Sequence, residues 1–77
     1  MEKYTEAEKQ YLTKLGNTIR IKRKTKGLTQ QKVAALCCSE KASLSRIESG
    51  KTNSTVITLM KIAGVLQVPV ADLIQVS

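Results

Sequence analysis

The chain has 77 residues, 42% hydrophobic and 3% aromatic, with a formal net charge of +7 from 13 basic and 6 acidic side chains. This length fits one domain with a small core of Leu, Ile, Val and Ala, and the composition excludes a disordered chain. No apolar run approaches the ~18 residues of a membrane span, and the polar, acid-bearing start MEKYTEAEKQ does not read as a signal peptide.

The charge is unevenly placed. Residues 1–27 hold eight basic and three acidic side chains, and RIKRKTK (Arg20 to Lys26) holds five basic residues in seven. Such an excess suits a polyanion, nucleic acid before an anionic membrane surface, although a solvated basic face kept for solubility has the same composition. Cys37 and Cys38 are adjacent and no His is present. Two thiols do not complete a zinc site, so no metal and no cofactor are expected. A reducing cytoplasm is the simplest setting, with Cys37 as a small core residue.

Helical periodicity recurs along the chain and strand signals are weak. The first helical segment starts after Thr5, where TEAE places Glu8 three residues on, the spacing of a capping box. It runs to about Thr25, and Gly27 can supply a left-handed terminus. Gly16 lies inside it at a cost of about 1 kcal/mol against Ala, so a break there is open. Leu12, Leu15 and Ile19 form one stripe, and the next step lands on Arg23, a charge that needs a partner or an exit to water.

A second helix fits Gln30 to Cys37, capped by Thr29, with Val33, Ala34 and Cys37 inward. A third fits Lys41 to Glu48, capped by Ser39 or Glu40, with Leu44 and Ile47 inward and Gly50 just beyond. A fourth fits Val56 to Leu66, capped by Thr55, with Leu59, Ile62, Ala63 and Leu66 on one face and Gly64 interrupting it. Pro69 stands where a short fifth helix through VADLI begins. The fold class is therefore an all-α bundle of about five short helices. Only three or four residues separate the second and third, which is helix-turn-helix spacing.

Taken together, LTQ at 28–30, Ala34, LSRIESGK at 44–51 and LMKIAGVLQV at 59–68 resemble the phage repressor and Cro family of helix-turn-helix proteins, also called the XRE family. The likeness covers about Leu15 to Ile74. It implies a single domain with an N-terminal helical extension over 1–11, the helix-turn-helix over 28–48 and a dimerisation tail over 68–77. It also implies a sequence-specific transcriptional regulator, not an enzyme, with double-stranded DNA as partner. Ala34 suits the place where the two helices cross.

The third helix then presents Lys41, Ala42, Ser43, Ser45 and Arg46 to the bases. Short side chains allow close approach, Lys or Arg reaches guanine O6 and N7, and Ala can touch a thymine methyl. Phosphate contacts are expected from Gln30, at the start of the second helix, and from Lys51, Thr52, Asn53 and Ser54. Glu40 is ambiguous: it could cap, accept from cytosine N4 or repel phosphate. The resemblance also implies that Arg23 pairs with Glu48 and so ties the first helix to the third. Many relatives carry Gly where this chain has Cys38, and an apolar residue where it has Ser39. The start of the third helix is thereby uncertain by one residue.

Such regulators bind palindromic operators as two-fold dimers. The tail is richer in apolar residues than its small core needs, and Val68, Ile74 and Val76 are the candidates for a homodimer interface, with an intramolecular lid as the plainer role. No ligand-binding or self-cleavage domain is expected to follow. Restriction-modification controllers, Cro-like phage regulators and self-repressing antitoxins, which imply a toxin partner, are all compatible. The competing reading is a protein-interaction or antitoxin module of the same fold with little specific DNA binding. Lys41 and Arg46, flanked by Lys51, favour DNA.

Overall fold

The computed structural model describes residues 3–37 and 40–76. The chain forms α1 (Glu6–Thr25), α2 (Gln30–Leu36), α3 (Lys41–Glu48), α4 (Val56–Leu66) and α5 (Ala71–Ile74), with no strand among the described residues. The expectations for Cys38 and Ser39 lie outside those residues.

Three of the helix starts are set by a threonine. At α1 the Thr5 hydroxyl accepts from the Glu8 N–H at 3.1 Å, and the Thr5 N–H donates to the Glu8 carboxylate at 2.8 Å, completing the capping box. Thr29 accepts from the Lys32 N–H and Thr55 from the Thr58 N–H, each at 3.1 Å. The α3 cap position is Glu40, which makes no side-chain cap bond, so capping is not the use made of it.

The ends follow a common scheme. Gly27 (φ 71°) and Gly50 (φ 73°) reverse the chain in the left-handed region. The next N–H of each, on Leu28 and Lys51, bonds back to Arg23 O at 3.1 Å and Arg46 O at 2.9 Å. At the end of α4 the same geometry falls on Gln67 (φ 60°), and Val68 N–H bonds to Ala63 O at 3.0 Å. A side chain there costs about 1 kcal/mol that glycine would not. Cys37, placed by periodicity in α2, is its C-terminal cap instead, and Gly64 does not interrupt α4.

Every helix contributes to one core. Leu15 and Ile19 meet Val33, Ala34, Cys37, Leu44, Ile47, Leu59, Ile62, Ala63, Leu66 and Leu73. Each large side chain buried there stabilises by roughly 1.5–3 kcal/mol. Leu12, expected on the same stripe, is only half-buried. The Tyr11 hydroxyl donates to the Ile74 carbonyl, latching α5 against α1. Among the described residues, no helix is long and apolar enough to cross a membrane.

Gly16 does not break α1. A Cβ at Gly16 would lie 2.3 Å from the Ile47 carbonyl oxygen and 2.5 Å from that of Glu48. One at Gly50 would lie 2.6 Å from the Thr13 Cα. Bare glycine on both sides lets the backbone of α1 rest on the last turn of α3, at distances no side chain permits.

Candidate nucleic-acid interface

The site is built outward from a buried charge. Arg23 continues the apolar stripe of α1 into the core, where it is 7% exposed, and Glu48 on α3 is 4% exposed. Arg23 Nε donates to one Glu48 carboxylate oxygen at 2.7 Å and Nη2 to the other at 3.0 Å. Nη1 donates to the Leu28 carbonyl at 2.8 Å. The Gln30 side-chain amide adds a third bond to Glu48, at 3.0 Å. A single carboxylate thus ties together α1, the first residue of α2 and the last residue of α3. Removing one partner of such a pair leaves an uncompensated buried charge.

With that end held, the inner side of α3 buries Leu44 and Ile47. Its outer side presents what the sequence assigned to base reading. Lys41, Ala42 and Arg46 are exposed, and Ser43 and Ser45 half-buried at the flanks. The helix begins at Lys41, which settles the one-residue uncertainty and puts Lys41 and Ala42 in the first turn. Among the described residues, the side chains of Lys41, Ser43, Ser45 and Arg46 make no hydrogen bond within the chain, so their donors are uncommitted.

The residues expected at phosphates divide into two groups. Gln30 opens α2, but its amide is engaged with Glu48. Lys51 and Asn53 are exposed on the loop after α3, and Thr52 and Ser54 half-buried. Thr52, Asn53 and Ser54 line an open cleft with Ser43, Arg46, Thr55 and Thr58. The Ser54 hydroxyl is buried there with no protein partner. Thr55 and Thr58, whose hydroxyls lie 2.9 Å apart, are also cleft residues; the sequence reading used Thr55 only for capping and gave Thr58 no role. Ser49 is another omission: exposed just past α3, it continues the i, i+3, i+7 spacing of Ala42 and Ser45, a signal present in the sequence.

Two of the tail candidates are partly absorbed by the fold. Val68 and Val76 pack against the core, while Ile74 is 40% exposed. No cluster of three or more potential metal ligands occurs among the described residues.

This arrangement, two short helices packed on each other with Ala34 buried in the core and the second one's polar side turned outward, defines a helix-turn-helix protein. Comparison with known families agrees: a helix-turn-helix family model matches residues 19–73, and the chain belongs to that family, whose members are DNA-binding regulators and not enzymes. Solved structures are similar across most of the chain. The restriction-modification controller protein C.AhdI from Aeromonas hydrophila is 29% identical with a TM-score of 0.79, over 80% of this chain and 94% of its own. The clp gene regulator ClgR from Corynebacterium glutamicum is 26% identical at a TM-score of 0.81, over 84% of this chain and 69% of its own. A transcriptional regulator of the same family from Vibrio cholerae is 29% identical at 0.80, over 88% of this chain but only 38% of its own. A search of curated proteins found no match.

Proposed function

We propose that this protein is a cytoplasmic transcriptional regulator that binds a palindromic DNA operator as a homodimer, with α3 in the major groove. The observation that carries the reading is the contrast between the two sides of α3. Its inner side is clamped by the Arg23–Glu48–Gln30 network, and its outer side offers small side chains with the uncommitted donors of Lys41, Ser45 and Arg46.

In this reading Lys41 and Arg46 donate to guanine O6 and N7, Ala42 packs on a thymine methyl, and Ser43 and Ser45 meet base or phosphate. Gln30, Lys51, Thr52, Asn53 and Ser54 fix the register on the backbone. Arg20, Lys22, Lys24 and Lys26 add long-range attraction without sequence preference. Val68, Ile74 and Val76 border the contact with the second copy, Ile74 being the most accessible. Protein concentration sets the dimer level, and dimer occupancy of the operator controls access of polymerase. The likeness to C.AhdI supports a small free-standing regulator.

The test is selection from random duplexes, sequenced after enrichment at two salt concentrations, with Arg46→Ala in parallel. A palindrome should be enriched by the native chain, and discrimination at one base pair per half-site should fall by about 1–3 kcal/mol in Arg46→Ala. Salt-sensitive binding that enriches nothing would mean that the charge of +7 acts alone, and would favour the protein-interaction reading.

A further inference from the structure

The loop after α3, which the DNA reading sets against phosphates, does not stand free. It leaves α3 at Gly50, where a Cβ would lie 2.6 Å from the Thr13 Cα and 2.8 Å from the Thr13 nitrogen. Further along, Asn53 shares a shallow crevice with Leu12, Glu8 and Tyr4. From Gly50 to Asn53 the loop therefore runs along α1, from Thr13 back toward its first turn. This part of α1 precedes residue 19, where the family model begins, so the support is not drawn from what the family model covers. It is anchored at two places. The capping box of Thr5 and Glu8 fixes the first turn, and the Tyr11 hydroxyl, donating to the Ile74 carbonyl, holds the next turn against the tail.

Tyr4 takes no part in the cap. It stands directly before Thr5, a position from which an apolar side chain often packs on the fourth residue of its helix. Here that residue is Lys9. Tyr4 and Leu12 are instead half-buried at the crevice that Asn53 also lines. Glu8 supplies a sign. Its carboxylate borders the same crevice, and like charge keeps a DNA phosphate out of it. The start of α1 thus bears on the loop and not on the DNA.

We infer that Tyr4, seated beside Leu12, is a positioning residue for Asn53: its ring backs the loop and sets where Asn53 meets the DNA backbone; this rests on the DNA reading proposed above. Backbone contacts fix register and carry no sequence information. Tyr4 therefore governs affinity for every sequence alike and leaves base preference untouched.

The test measures binding of the full-length chain to the selected duplex and to duplexes with single base changes. It compares the native chain with Tyr4→Ala, Tyr4→Phe, Lys3→Ala, Asn53→Ala and the double variant of Tyr4→Ala with Asn53→Ala, each verified to fold by its melting curve. Tyr4→Ala should weaken binding about threefold to tenfold, the worth of one hydrogen bond, and equally on every duplex. Tyr4→Phe keeps the ring and should bind as the native chain does. Asn53→Ala should show a similar loss, and adding Tyr4→Ala to it should cost little more, because the ring then has nothing left to position. Losses that add in the double variant overturn the inference, as does Tyr4→Ala binding as tightly as the native chain. Lys3 Nζ lies 6.0 Å from the centre of the Tyr4 ring. A loss reproduced by Lys3→Ala with a shallower salt dependence makes the N-terminal turn a direct phosphate contact, and also overturns it. In each of these cases the DNA reading stands. A native chain that selects no duplex overturns the DNA reading itself, and Tyr4 with it.

Discussion

The two ends of α3 are held in opposite ways. At the last turn Glu48 accepts three side-chain hydrogen bonds, and the backbone of α1 lies directly on the Ile47 and Glu48 carbonyls at Gly16. At the first turn Glu40 contributes only its carbonyl, to the N–H groups of Ser43 and Leu44 at 3.0 and 3.2 Å, and among the described residues no side chain caps the helix. In the proposed reading the helix is aimed from the end away from the bases, and its first turn, where Lys41 and Ala42 sit, keeps its side chains uncommitted within the protein. Holding both ends equally would commit side chains that this reading assigns to recognition.

That contrast can be broken most severely at Glu48. Glu48→Ala should lower stability by about 3–5 kcal/mol, because the Arg23 guanidinium is left buried without its partner; chemical denaturation measures it. Replacing both residues by apolar ones of similar size should cost far less while loosening operator discrimination, which separates stability from aim. Gly16→Ala comes next. Alanine favours helix by about 1 kcal/mol, but a methyl 2.3 Å from a carbonyl forces α1 off α3, for a net loss of about 1–3 kcal/mol and weaker specific binding. An unaltered melting temperature in this variant would remove the close approach from the account.

At the lightly held end the sign reverses. Glu40→Ser supplies the missing cap and should stabilise by about 1 kcal/mol. If adjustability of the first turn matters, the gain in stability should come without a gain in operator affinity. Gly64→Ala should give the smallest effect, a stabilisation of about 0.5–1 kcal/mol, since the new methyl meets nothing.

Much of this was legible before any coordinates. Thr5, Thr29 and Thr55 announced three helix starts, and Gly27 and Gly50 two chain reversals, because caps and left-handed turns depend on a few neighbouring residues. The outward set Lys41, Ala42, Ser43, Ser45 and Arg46 followed from placing Leu44 and Ile47 inward. The Arg23–Glu48 pair was flagged by a charge on an apolar stripe, and the family resemblance supplied its partner. The third bond, from Gln30, was not legible, since nothing in the order of residues says that the start of α2 meets the end of α3. Nor was the left-handed Gln67, where the geometry usual for glycine is imposed on another residue by the chain that follows.

The sequence by itself determined the helix count, the caps of α1, α2 and α4, most of each inward face and the basic character of the chain, all of which arise from spacing along the chain and local hydrogen bonding. Tertiary structure alone decided between two glycines that look alike in helical segments. Gly16 meets another backbone and Gly64 meets none. It alone decided, too, that α4 carries apolar side chains on its outer face, because periodicity names the side that fits a core but not whether the remaining side is covered. Both outcomes depend on which helix lies against which, and that is set by packing between residues far apart in the chain.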